Sequence, residues 1–271
     1  MKTIIRKGWD MTVRHKYVVV LLFLYRLLWG FLLYRFVDSI ATPILARYPD
    51  PHPNAQAARL FWIEAEFRLL KTDLAGPVLW TLAGMLLLRM LLTPVLSAGM
   101  YYSFRHASEE RGTQVLAGMR RAWKPVALLY WAEMALTLAP AAWLVPTAKA
   151  RFFGSIQWTD WLSGLLPYAA GWFAWGLAVH VLLQAMQFGA ASGSGAWKGL
   201  WRALQRALPL AGVTLLLLGA SAFASAAAAA ASFVWTGFAA IAIQQSFHFV
   251  RSLMSLWTAA SQYQAWKPDA V

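Results

Sequence analysis

Five ionisable side chains stand deep inside long apolar runs of this chain: Arg26, Arg89, Glu133, His180 and His248. A charge in hydrocarbon is costly, so such residues face protein or water and mark ligand paths or proton relays. Counted inward from the basic ends of their runs at about 1.5 Å per residue, all five lie roughly 12–18 Å deep. A common depth suggests one shared polar layer. Neighbouring polar residues extend it at helical spacing. Arg89, Thr93 and Ser97 are spaced by four, and Gly176, His180, Gln184 and Gln187 share one helix face. Gln244, His248, Arg251, Ser255, Thr258 and Gln262 form a stripe with spacings of four and three. Arg26, Arg89 and Arg251, with two titratable histidines, stand against a single acid, Glu133. That excess of positive charge suits a carboxylate or phosphate, which the planar guanidinium fork matches.

The expectation is a polar, hydrated cavity open to the cytoplasm. Arg26, Arg89, His180, Gln184, His248 and Arg251 are its candidate ligand contacts, and Glu133 is their counter-ion or a proton-coupling group. A purely structural role stands beside this. Polar side chains also join membrane helices by hydrogen bonds, and Glu133 would then simply neutralise Arg89 or Arg26.

Other chemistries lack their residues. The chain has no HExxH zinc motif, no GxSxG elbow and no phosphate-cradling glycine loop. With no cysteine it has no disulfide, thiolate metal ligand or thiol nucleophile. No metal or cofactor is expected. An intramembrane hydrolase would need a serine or carboxylate within hydrogen-bond reach of His180 or His248. Gly189–Gly195 reads as a flexible linker, and Glu109-Glu110 as a solvated acidic pair.

The elements that must position these residues are membrane helices. Of 271 residues, 60% are hydrophobic and only 13% charged. Soluble domains are about 45–50% apolar and about 25% charged, so lipid must solvate much of this surface. Sixteen Trp and nine Tyr suit the headgroup level. A span needs about 20 apolar residues. Six stretches qualify, near 17–40, 77–101, 125–146, 165–188, 209–231 and 237–257, and three of them begin at proline, which the first helical turn favours. The first run has no cleavage site after it and reads as a retained helix.

Lys and Arg orient the spans. The N-terminus, the 102–124 and 189–208 connections and the tail carry fourteen, against six in 41–76, 147–164 and 232–236. The first set is cytoplasmic, which places both termini inside. The net charge of +13 belongs to these connections, with no nucleic-acid motif beside it, so no nucleic-acid partner is expected.

A loose threefold repeat underlies the order: a short basic segment, a helix going out and a helix coming back. Lys7-Gly8-Trp9, Gly118 to Lys124 and Lys198 to Arg206 mix Gly, Trp and basic residues ahead of the outgoing helices, as an interfacial helix would. Outside, Tyr48 to Pro53 reads as an extended arm, and 54–75 as an amphipathic surface helix with Leu60, Ile63, Phe67, Leu70 and Leu74 on one face. In the fifth helix Gly219, Ser221, Ser225 and Ala226–Ala231 offer a small-residue surface for close helix approach.

The stretch Pro94-Val95-Leu96-Ser97-Ala98-Gly99, a basic loop, then Gly118 to Lys124 resembles uncharacterised six-helix bacterial membrane-protein families, similar in style to the membrane domain of glycerophosphodiester phosphodiesterases. The resemblance implies an all-α fold of six helices in three hairpins. It does not bring the phosphodiesterase activity, whose domain finds no room in this chain. Sixteen Arg against eight Lys, with abundant Ala, suit a GC-rich bacterium and its cytoplasmic membrane.

Two main functional expectations follow. One is a permease-like or accessory transport subunit that holds an anionic small molecule or lipid headgroup. The other is a non-catalytic scaffold that binds partner membrane proteins through the fifth helix and the 54–75 helix. An intramembrane enzyme is a third.

Overall fold

The computed structural model describes all residues except 46–55, 57–58, 62, 64–66, 68–74, 107–112, 155–157, 236–237 and 268–271. Every long element among the described residues is an α-helix: α1 (Lys2–Arg14), α2 (Lys16–Leu45), α3 (Ala75–Arg105), α4 (Thr113–Arg121), α5 (Trp123–Leu138), α6 (Ala141–Gly154), α7 (Trp158–Ala191), α8 (Ala196–Gln205), α9 (Ala207–Val234) and α10 (Phe238–Trp266). Five stretches are long and apolar enough to cross a membrane: Lys16–Ile40, Gly76–Arg105, Trp123–Arg151, Leu162–Ala191 and Ala207–Ser232. The sixth expected span falls in α10. That helix has the length, but its polar stripe leaves it less apolar than the others.

Helix starts follow from proline chemistry. Pro77, Pro125 and Pro209 are each the third residue of their helix, where the missing N–H is one the helix would leave unpaired anyway. Pro140 acts differently. The 125–146 stretch was expected to be one helix, but it breaks between α5 and α6 at Ala139-Pro140. Proline has no N–H to give the carbonyl four residues back, which is that of Leu136.

The chain divides into two compact units, Leu22–Leu92 and the remainder. The smaller unit holds most of α2 and the first part of α3. Within it Trp29 is buried, with Tyr25 edge-on at 6.1 Å. Of the 54–75 segment only Gln56, Arg59, Leu60, Phe61, Ile63 and Phe67 are described. All are helical, with Phe61 buried and Leu60, Ile63 and Phe67 exposed. The remainder of that expected helix, and the Tyr48–Pro53 arm, lie outside the described residues.

The larger unit carries the repeat. The long helices α2, α5 and α9 are each preceded by a short helix, and each short helix carries a small-xxx-small pair within it or running one residue past its end: Gly8 and Thr12, Gly118 and Ala122, Gly199 and Ala203, all buried. Such pairs let backbones approach closely. Gly118 fits against Gly99 and Tyr102 at the end of α3, and Gly199 against Ala185 and Gly189 of α7. Gly8 fits against Ser261 of α10. The N-terminal helix thus docks on the last helix as α4 and α8 dock on the long helix before them.

Aromatic packing ties the same end together. Phe188 contacts Tyr101 and Tyr263 edge-on at 4.8 and 5.5 Å, and Trp266 lies beside both Phe188 and Tyr263. Arg105 donates to the Ser192 carbonyl, the Trp266 indole donates to Gly199, and the Trp257 indole donates to Ile5. Burial pushes the Tyr263 phenol above its ordinary value, while Arg105 and Arg202 pull it back. His15, at the α1–α2 joint, sets its two ring nitrogens 2.7 and 3.2 Å from the carbonyls of Met11 and Ser103.

Candidate functional site

The polar centre of the larger unit forms where α5 and α7 pack together. Glu133 comes from α5, two turns before the Pro140 break, and His180 and Gln187 from α7. His180 Nδ1 stands 2.6 Å from Glu133 Oε1, and Gln187 Nε2 donates to Glu133 Oε2 at 3.1 Å. Both carboxylate oxygens therefore have a partner. His180 Nδ1 and Glu133 Oε1 are at hydrogen-bond distance. Either Nδ1–H donates to the carboxylate, or a protonated carboxyl donates to Nδ1. Gln187 is 3% exposed, whereas the Glu133 and His180 side chains are 16% and 46% exposed. The pair thus has a closed side at Gln187 and an open side at His180. Among the described residues, His180 Nε2 has no partner on that open side.

Around it lie Tyr101, Ser97 and Gln184. The side chains of Gln184 and Ser97 flank the Tyr101 hydroxyl, and Glu133 is close enough to act on it electrostatically. Gln184 is buried. Leu129, Val179 and Leu183 form the apolar floor, with Met186, Ala190 and Ala196 packed against it.

The helix break above Glu133 is held by the same two elements. With no N–H at Pro140, the Leu136 carbonyl accepts from the Trp175 indole at 2.9 Å instead, and the neighbouring Thr137 carbonyl accepts from Trp172 at 2.8 Å. Backbone carbonyls in a membrane must find donors within the protein, and these two indoles supply them. Gly176 lets the helices meet there, its side facing the Thr137 methyl. Composition and hydropathy gave no sign of Trp172, Trp175 or Tyr101. The one sequence signal was Pro140 itself, four residues after a carbonyl that would need a new donor.

Of the expected site residues, Glu133 and His180 meet directly, and Gln184 stands beside them next to Tyr101. His248 and Arg251 do not join them in any described contact. His248 is half-buried, Arg251 is exposed, and among the described residues neither forms an ion pair. Their level on the helix explains part of this. Taking Gly189 and Ser261 as the notch residues of α7 and α10, His180 lies nine residues in, Arg251 ten and His248 thirteen. His248 is therefore roughly 6 Å farther along its helix than His180 is along its own, at 1.5 Å per residue. Further down α10, Gln262 donates to Thr214 of α9 at 2.9 Å, both fully buried, and joins those helices as a structural hydrogen bond. Arg26 and Arg89 belong to the smaller unit, where Arg26 is half-buried and Arg89 exposed.

Among the described residues no group of three His, Asp or Glu is placed to hold a metal ion. The chain matches no protein-family model, no curated protein and no solved structure.

Proposed function

We propose that this chain is a permease-like or accessory transport subunit of a bacterial cytoplasmic membrane. It crosses six times, and the Glu133–His180 pair binds the coupling proton for an anionic small molecule or lipid headgroup. The observation that carries the reading is the pair itself: a carboxyl and an imidazole at a hydrogen-bond distance of 2.6 Å, inside apolar helices and beside a broken helix. Broken membrane helices are where many transporters place their substrate and ion sites. Arg251, on α10 of the same unit, brings positive charge, which suits an anionic cargo, with Gln184 as a neutral contact.

Six crossings are supported by parity. The end of α3, the starts of α5 and α9, and the ends of α7 and α10 meet α1, α4 and α8 at one end of the larger unit. A chain whose N-terminal helix docks at the C-terminal end of its last helix has crossed an even number of times. That end carries Lys2, Arg6, Lys7, Arg120, Arg121 and Lys198, which favours the cytoplasm.

Thermal melting of the purified protein tests the reading, with inorganic phosphate, a phosphomonoester and a dicarboxylate as probes. At least one should raise the midpoint. Glu133→Gln and His180→Ala should each remove that stabilisation. No shift with any probe would count against it.

A scaffold is the second reading. It rests on α9, where Gly219, Ala222, Ala226 and Ala230 lie exposed and Gly219 has open space on its side. A membrane protein that co-purifies at a fixed ratio would favour it.

A further inference from the structure

We propose that α1, α4 and α8 form a basic collar that binds the anionic phospholipid headgroups of the leaflet beside them. This rests on the membrane reading but not on the Glu133–His180 centre. Each short helix buries its small-residue side and turns other faces outward. On α8 the outward apolar face is Trp197, Trp201 and Leu204, 78%, 64% and 52% exposed, and it continues into Leu208 at 86%. On α4 it is Leu116, with Trp123 following at the start of α5, and on α1 it is Trp9 and Val13. Amphipathic helices of this kind lie in the plane of the interface, with their apolar side among the acyl chains.

The charges say which interface. Within these three helices the basic residues are Lys2, Arg6, Lys7, Arg14, Arg120, Arg121, Lys198 and Arg202, and the one acid is Asp10. Two of them serve the fold: Arg202 covers the Trp266 ring at 5.1 Å and Arg121 reaches the Tyr102 hydroxyl. Arg6, Lys7, Arg14, Arg120 and Lys198 are exposed and, among the described residues, form no ion pair. On α8, Lys198 flanks the face of Trp197 and Trp201. This places an ammonium at headgroup level next to rings at the acyl boundary. A basic residue near a negatively charged surface is attracted to it, and the attraction fades within a Debye length. Because the collar also holds the ends of the returning helices, lipid bound there should stabilise the whole unit.

The test uses the full chain in neutral detergent, with phosphatidylglycerol or phosphatidylcholine added and the melting midpoint read. Phosphatidylglycerol should raise the midpoint by several degrees more than phosphatidylcholine. Salt at 1 M, where the Debye length is about 3 Å, should remove most of that difference. The combined variant Lys7→Gln, Arg120→Gln, Lys198→Gln takes one exposed charge from each helix. It should melt normally in phosphatidylcholine and lose at least half of the phosphatidylglycerol shift. Trp197→Ala with Trp201→Ala should weaken the response to both lipids. Equal shifts from the two lipids would overturn the proposal, as would a full phosphatidylglycerol shift in the charge variant. A charge-dependent shift of the same size with inorganic phosphate would also overturn it, because the site would then read a free anion rather than a lipid surface. Failure of Glu133→Gln in the anion assay leaves this test untouched, so the two proposals fail separately.

Discussion

Glu133 and His180 lie 47 residues apart in the chain and stand 2.6 Å apart in the fold. The sequence placed each at a similar depth but could not say which of the five deep residues would meet. Spacing within one helix is legible, and pairing between helices is not. Glycine behaves the same way. Gly8, Gly118 and Gly199 were legible as a recurring residue ahead of a span, but not as notches. A Cβ at Gly199 would stand 2.5 Å from the Ala185 carbonyl oxygen and 3.2 Å from the Ala185 carbonyl carbon and the Gly189 Cα, all of them backbone atoms. Gly199→Val should therefore destabilise by about 1–3 kcal/mol, the usual cost of overpacking. Gly84→Ala, where a Cβ meets nothing within 4 Å, should be neutral or slightly stabilising, because alanine is the better helix former. Thermal melting of both variants checks the contrast. Equal effects would mean that the notch does not carry the packing.

Among the elements, the break between α5 and α6 separates what hydropathy reads from what it misses. Leu138-Ala139-Pro140-Ala141-Ala142 is apolar throughout, so the run looked continuous. A hydropathy window counts side chains and is blind to a missing backbone donor. The structure shows the consequence in the indoles of Trp172 and Trp175, both from α7. Trp175→Phe keeps the ring's bulk but leaves the Leu136 carbonyl without its donor, a loss of about 1 kcal/mol, the net worth of one hydrogen bond. In a Pro140→Ala background the backbone N–H returns and can take that carbonyl, so the same substitution should cost much less. The double-mutant cycle measures this directly. Additive losses would show that Trp175 stabilises by packing alone. The last helix shows the converse. The residues that gave α10 its polar stripe are the same ones that keep it less apolar than the other spans.

For the whole molecule, the order of elements was legible and its closure was not. Three short basic segments, each ahead of an outgoing helix, could be read from Gly, Trp, Lys and Arg. The docking of α1 on α10, more than 240 residues away in sequence, could not, because no local pattern encodes a partner. That contact makes topology testable. The chain has no native cysteine, so single cysteines report cleanly. Thr3→Cys and Gln205→Cys should react only with a membrane-permeant thiol reagent in intact cells, and Lys149→Cys should react with an impermeant one. Labelling of Thr3 and Gln205 from opposite sides would contradict the docking and the even number of crossings together.

Proton movement tests the central claim most directly. The protein would be reconstituted into vesicles with a pH-sensitive dye inside and offered phosphate, a phosphomonoester or a dicarboxylate from outside. If Glu133 and His180 carry the coupling proton, at least one anion should drive a change in lumenal pH. Glu133→Gln and His180→Ala should each abolish that change while keeping normal helical content and insertion. If wild-type protein in sealed vesicles gives no pH change with any of the three, or if Glu133→Gln retains it in full, the Glu133–His180 pair is not a transport centre.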